Sequence, residues 1–196
     1  MRLFILRHEE RPDNQGSFRT ELTNIGKENA IKLVTKLKEL NIDVIYSSPY
    51  IRTLQTIMPY AKERDIMVKV DYSLHEYITL DFSPTELRDK LTVDEIGYYH
   101  INEDYQSLIN IEDISYPETH ELVFYRLSNF LLFLIENYKN TNHNIVLVSH
   151  MCVINAIIKY FTKDRTLYDD YPMGLLSEIC LTPEQNYIVT PINETN

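Results

Sequence analysis

Residues 144–150 read Asn144-Ile145-Val146-Leu147-Val148-Ser149-His150, and this stretch decides how the chain is arranged. The apolar run is too short for a helix and too uniform for a strand with one wet face. It reads as a strand buried on both sides, the kind found in parallel sheets covered by helices. Working outward, Glu118 to Tyr138 before it and Val153 to Phe161 after it carry helical apolar spacing. Leu3 to Leu6 is a second short apolar run, closed by Arg7-His8-Glu9-Glu10, and Val44-Ile45-Tyr46 is a third, closed by Ser47-Ser48-Pro49. Pro12 to Gly16 reads as loop.

Between these strands a helix is predicted after Thr23, whose hydroxyl can cap free amides, with Ala30, Leu33, Val34, Leu37 and Leu40 on one face and a stop at Asn41. Another is predicted from about Ile51 to Glu63, disturbed at Pro59. Val68 to Leu74 alternates as a strand would, and Glu178 to Leu181 and Tyr187 to Val189 read as late strands before a frayed end. Residues 77–117 are the least regular part. They are read as an acidic, partly helical, cap-like insertion over one end of the sheet, with helix at Pro84 to Leu91 and Val93 to Tyr99. Alternating strand and helix makes residues 1–196 a single three-layer α/β/α domain with a largely parallel sheet.

Composition narrows the function. In 196 residues there are 19 basic against 29 acidic side chains, a formal charge of -10. That balance excludes nucleic acid as a general partner and argues against a basic membrane-surface protein. An anionic substrate must therefore be held by a local cluster of Arg or His. The 4 glycines form neither GxGxxG nor GxxxxGK[ST]. Cys152 and Cys180 make no disulfide framework or CxxC pair. No signal peptide and no apolar stretch of about 18 residues is found, so a cytoplasmic, soluble protein is the expectation. Composition sets no oligomeric state.

In open α/β sheets, ligands bind beyond the carboxyl ends of the strands. The polar residues that follow the predicted strands are Arg7-His8, Ser47-Ser48-Pro49 with Arg52, His75-Glu76, and Ser149-His150. His8 and His150, with Arg7, Arg52 and the Glu76 carboxylate, thus converge on one end of the sheet, a set suited to phosphate chemistry. Arginine offers planar paired donors to phosphate oxygens, histidine can attack phosphorus or donate, and a carboxylic acid can protonate a leaving oxygen. Each has a plainer reading: a hydrogen-bonded His8, a solvated Arg52, an exposed Glu76. Glu86 and Glu118 compete with Glu76 for the acid's role. The remaining histidines lack metal-ligand spacing, Cys152 reads as a core thiol, and Ser149 lacks the GxSxG setting of a serine esterase.

Leu6-Arg7-His8 with Asn14, followed by Leu22-Thr23-x-x-Gly26, resembles the opening of the histidine phosphatase superfamily, which includes cofactor-dependent phosphoglycerate mutases. Ser47-Ser48-Pro49-Tyr50-Ile51-Arg52-Thr53-Leu54-Gln55-Thr56 is similar to its SSPxxRxxQT. Leu74-His75-Glu76 resembles its LxE, Pro117-Glu118-Thr119 with Arg126 its GES…R, and Val148-Ser149-His150 with Val153-Ile154 its VSHGGVI. The motifs cover nearly the whole chain in order. Two departures stand out, because Glu9 and Met151 occupy positions that are glycine in the family. Glu9 puts a negative charge beside His8, where it raises the histidine's pKa or weakens phosphate binding, or else points away or pairs with Arg11 or Arg52. Met151 brings bulk next to His150.

The resemblance implies a phosphoglycerate mutase-like fold and a metal-independent phosphomonoester hydrolase of the histidine acid phosphatase kind. His8 is then the nucleophile that forms a phosphohistidine, Glu76 the general acid and base, and His150 a further catalytic residue. Arg7, Asn14, Arg52 and His150 would bind phosphate, and neither metal nor cofactor is needed. The short loop from Asn14 to Leu22, and Tyr77 to Phe82 in place of YGxLxG, weigh against a phosphoglycerate mutase. A catalytically weak phosphate-binding or interaction module is the reading from another class. The acidic insertion disfavours polyphosphates, which leaves a small phosphorylated substrate or a phosphopeptide.

Overall fold

In chain order the elements are β1 (Arg2–Arg7), α1 (Asn24–Glu39), β2 (Val44–Ser47), α2 (Ile51–Arg64), β3 (Lys69–Val70), α3 (Val93–Tyr98), α4 (His120–Tyr138), β4 (Asn144–Ser149), α5 (Met151–Thr162), β5 (Leu176–Leu181) and β6 (Tyr187–Pro191). The computed structural model describes residues 1–13, 16–79, 90–162, 171–181 and 187–192. The sheet runs β3-β2-β4-β1-β5-β6. Its first four strands are parallel, and β5 and β6 add an antiparallel edge. The chain leaves β1 for β2 across a gap one strand wide, which β4 later fills. Strand order reverses there, so the carboxyl ends of β1, β4 and β2 open side by side into a crevice.

Alternation along the strands builds two cores. Leu3, Ile5, Tyr46, Ile145 and Leu147 pack with Leu127, Phe130, Ile154 and Ile157 of α4 and α5. Phe4, Leu6, Ile45, Val146 and Val148 pack with Leu33, Leu37, Leu54 and Ile57 of α1 and α2. Each such side chain contributes roughly 1.5–3 kcal/mol on burial, which is why β1 and β4 carry apolar residues on both faces. Thr23 caps α1 by accepting from the Gly26 amide at 3.0 Å. Gly26 is required there, since a Cβ would lie 2.2 Å from the Glu10 carbonyl oxygen.

The structure departs from the sequence reading in three places. α2 runs unbroken through Pro59. The third strand is only Lys69–Val70, because Asp71 turns the chain into a 3-10 turn over Tyr72–Leu74. Buried Asp71 still donates its amide to the Ser47 carbonyl at 3.0 Å, but its carboxylate accepts from the Ser73 amide at 2.8 Å, the Tyr105 hydroxyl at 2.6 Å and the Leu108 amide at 3.0 Å, which turns residues 72–74 away from β2. The long helix begins at His120 rather than Glu118, since Thr119 supplies the cap and Glu118 bonds instead to Ile78. The described part of the insertion joins the β3 side of the sheet through a parallel bridge between Val68 and Ile101. The helix expected at Pro84 to Leu91 lies mostly outside the described residues. Among the described residues no helix is long and apolar enough to cross a membrane.

Candidate active site

β1 delivers His8 to the crevice, and its amide still donates to the Ser149 carbonyl at 3.0 Å, which holds the β1 and β4 exits together. The ring is buried, with Nδ1 2.8 Å from the Glu9 carbonyl oxygen. A carbonyl only accepts, so Nδ1 carries the proton and Nε2 presents its lone pair. Burial, then the field of Arg52, holds the His8 pKa well below the ordinary range, with Arg7 and Arg11 acting in the same direction. His8 is therefore neutral. Of the alternatives open for Glu9, its side chain takes the one that points away from His8.

That carboxylate is buried, 3.5 Å from Asn29 Nδ2 of α1 and packed against Gly174. It helps line a separate cavity of about 550 Å³, together with Asn29, Lys36 and Met173. Its amide donates to Thr56 Oγ1 at 2.9 Å, and the Thr56 hydroxyl donates to the Arg52 carbonyl at 2.7 Å. One threonine thus ties the His8 loop to the first turns of α2. Met151, the other replacement of a family glycine, packs against the core between the sheet and α4 and α5.

Arg52 comes from the start of α2 and is only 1% exposed. Nη1 donates to the Ser17 carbonyl at 2.9 Å, Nη2 lies 3.5 Å from Glu76 Oε2, and among the described residues Nε has no hydrogen-bond partner. The guanidinium sits 4.4 Å from the Tyr50 ring centroid. Arg7 donates through Nη1 to the Tyr171 carbonyl, while the Gly174 amide reaches the Arg7 and His8 carbonyls at 3.2 and 3.1 Å. Residues 171–175 therefore strap the end of β1.

His150, fully buried at the end of β4, stands 5.4 Å from His8 between ring centroids. Its Nε2 is 2.8 Å from Ser48 Oγ, and its Nδ1 faces Glu76 Oε2 at 3.3 Å. Burial first, then Arg52, keeps its pKa well below the ordinary range. Glu76 follows the 3-10 turn, and its Oε1 accepts from the Tyr77 amide at 3.0 Å. Burial raises its pKa despite the opposing pull of Arg52, Arg7 and Arg11, which favours the protonated acid.

Arg7, His8, Arg52, Glu76 and His150 are thus brought to one crevice, as read from the strand ends. Asn14 and Glu86 lie outside the described residues. Glu118 is engaged in a buried ion pair with Arg126 at 2.8 Å, so it is not available as the acid. Sequence reasoning assigned no role in the site to four neighbours. Ser48 contacts His150 directly, and Tyr50 sets its ring edgewise to His75 and His150 at 4.8 and 4.9 Å. His75 is fully buried, its pKa pushed down to about 3 by burial and then by Arg126. Arg11 acts electrostatically on His8, Arg52 and Glu76. Its position three residues after His8, at the same strand exit, was the available signal. Among the described residues no group of three or more His, Cys, Asp or Glu side chains could hold a metal ion.

A three-layer α/β domain with two buried histidines, arginines and a carboxyl group of raised pKa at the carboxyl ends of its parallel strands is of the phosphoglycerate mutase-like class. The family model described as histidine phosphatase superfamily, branch 1, matches residues 3–190, and the chain belongs to that family. Among solved structures it is similar to an ecdysone phosphate phosphatase from Bombix mori in complex with tungstate, at 16% identity, covering 100% of this chain and 96% of that one with a TM-score of 0.74. It is also similar to a putative α-ribazole-5'-P phosphatase from Escherichia coli, at 24% identity over 99% and 96% of the two chains with a TM-score of 0.70. A phosphoserine phosphatase from Entamoeba histolytica in complex with 3-phosphoglyceric acid shares 24% identity over 99% and 97%, with a TM-score of 0.67. No curated protein matches the chain in sequence.

Proposed function

We propose that this protein hydrolyses phosphomonoesters through a phosphohistidine on His8. The observation that carries the reading is the neutral His8 ring, its Nδ1 bonded to the Glu9 carbonyl at 2.8 Å, in one crevice with Arg52 and a carboxyl group of raised pKa. The His8 Nε2 lone pair attacks phosphorus while the ester P–O bond breaks in line. The leaving oxygen takes the proton of the Glu76 carboxyl. A water molecule then attacks the phosphohistidine and gives a proton to the Glu76 carboxylate, the P–N bond breaks, and His8 returns neutral. Arg7, Arg52, His150 and Asn14 hold the non-bridging oxygens, and fixed arginine charge stabilises the transition state. Each step closes in protons and electrons without a metal or cofactor.

The substrate is a small phosphomonoester or a phosphopeptide. The names of the similar structures support the small ester, since they describe phosphatases of ecdysone phosphate, α-ribazole-5'-P and phosphoserine. We assign the protein to the cytoplasm, where its two free thiols, Cys152 and Cys180, stay reduced. The test is release of phosphate from an aryl phosphate between about pH 5 and 7 in EDTA, the range in which carboxyl and imidazole groups exchange protons. Turnover by the natural protein, absent in His8→Ala and indifferent to chelator, is the expected result. A His8→Ala variant that retains turnover sinks the phosphohistidine mechanism.

A further inference from the structure

Glu76 lies between two short backbone segments, and one buried ion pair grips both. Arg126, 6% exposed, reaches across from α4. Its Nη1 donates to the Ser73 carbonyl at 2.5 Å and its Nη2 to the His75 carbonyl at 2.8 Å, with the Glu76 carbonyl at 3.5 Å. The same guanidinium forks onto Glu118, Nε to Oε1 at 2.8 Å and Nη2 to Oε2 at 3.0 Å. Glu118 in turn holds the chain beyond Glu76. Its Oε2 accepts from the Ile78 amide at 3.3 Å, and its own amide donates to the Ile78 carbonyl at 2.9 Å.

The backbone is therefore fixed at residues 73–76 on one side and at 78 on the other. Within that span the Tyr77 amide takes Glu76 Oε1, which leaves Oε2 facing Arg52 and His150. A buried ion pair is weak support for stability as such, because apolar residues of similar volume serve as well or better. The geometry here answers a different need. Three backbone carbonyls and a carboxylate converge on one planar guanidinium, which a lysine's single ammonium cannot reproduce.

We propose that Arg126, oriented by Glu118, is the positioning residue for the general acid Glu76. This rests on the role proposed above for Glu76. A residue that acts only through the acid matters only where the leaving group needs a proton. Nitrophenolate leaves without one, whereas the alkoxide of glycerol phosphate does not.

The experiment measures kcat/KM of the full-length protein, Arg126→Lys, Glu118→Gln and Glu76→Gln on p-nitrophenyl phosphate and on glycerol 2-phosphate. The ratio of the two values within one preparation does not depend on the fraction folded, so a destabilised variant still reports. The expected result is a roughly 100-fold loss on the alkyl ester in Arg126→Lys against less than about 5-fold on the aryl ester, in keeping with the weight of general acid catalysis. Adding Arg126→Lys to Glu76→Gln should remove nothing further from the alkyl ester. Equal losses on both esters, or a further loss in the double variant, overturn the positioning role while Glu76→Gln still selects between the esters. If Glu76→Gln itself does not discriminate, or the natural protein cleaves neither ester, the reading of the acid fails and the positioning role with it.

Discussion

Gly174 provides the space that the Glu9 carboxylate fills. A Cβ at residue 174 would lie 2.4 Å from Glu9 Oε1 and 2.7 Å from Oε2, and the residue's φ of +72° is itself unfavourable for any side chain. The two positions form one unit behind His8, because the Gly174 amide bonds the Arg7 and His8 carbonyls and the Glu9 carbonyl accepts from the His8 ring. A glutamate therefore sits next to His8 without presenting its charge to the crevice. Gly174→Ala is expected to cost about 2–4 kcal/mol, combining backbone strain with the clash. In a Glu9→Gly background the clash vanishes and only the strain remains, so a double-mutant cycle by urea unfolding should show about 1 kcal/mol or more of coupling. Additive losses would mean that the side chains do not meet as described.

Stability should fall steeply in acid. His8, His75 and His150 all have folded pKa values below the ordinary one near 6.5, each chiefly through burial. Such groups contribute stability that is complete above the unfolded value and is lost as pH falls below it, since the unfolded chain takes up protons that the native one refuses. Glu76, raised, opposes this between its ordinary carboxylate value and its folded one, but it is one group against three. A net slope of about 2–3 kcal/mol per pH unit below pH 6 is expected from urea unfolding, and His75→Gln should flatten it by about 1.4 kcal/mol per unit. For His75 the loss should continue toward its folded value of about 3. A flat profile between pH 6 and 5 would place these imidazoles in water.

The sequence was legible where local chemistry and burial agree. Leu3 to Leu6 and Ile145 to Val148 need helices on both sides, so they specify the middle of the sheet and bring the residues that follow, His8 and His150, into one crevice. Arg52 could be placed by the same rule, because it follows β2, whereas Glu76 reaches the crevice through the 3-10 turn that separates it from β3. The alternation from Val68 to Leu74 misled, since the Asp71 amide still reaches the Ser47 carbonyl of β2 but its carboxylate is taken by Tyr105 and Leu108 from the insertion, and the chain turns there. The direction of the Glu9 carboxylate, and the choice of Ser48 as partner of His150, depend on residues far along the chain that meet only after folding. No local pattern encodes them.

In the proposed mechanism the alkaline limit of activity belongs to Glu76. Phosphoryl transfer to His8 needs the acid protonated, while His8 stays neutral well into the acid range, so kcat on an alkyl ester should decline as pH rises through the raised Glu76 value. Arg11 pulls that value down. Arg11→Gln is expected to move the alkaline limb to higher pH, while KM rises because a positive charge has left the crevice. The pH profile of kcat under saturating substrate checks this, and a limb that stays in place or moves down would separate Arg11 from the acid.

Ser48 gives the most direct test of His150. Its hydroxyl meets Nε2 at 2.8 Å in a fully buried setting, and Glu76 Oε2 lies across the ring from Nδ1 at 3.3 Å. One proton and one lone pair are available on a neutral imidazole, so whatever the hydroxyl does at Nε2 dictates the opposite role at Nδ1. Ser48→Ala frees that choice and leaves a buried nitrogen unsatisfied, at a cost of about 1–3 kcal/mol in unfolding free energy. A corresponding fall in kcat of roughly 10-fold is expected, larger than any rise in KM, because phosphate charge is still held by the arginines. Ser48→Thr, which keeps the hydroxyl, should recover most of the rate. Equal losses in the alanine and threonine variants would assign the defect to packing rather than to the hydrogen bond.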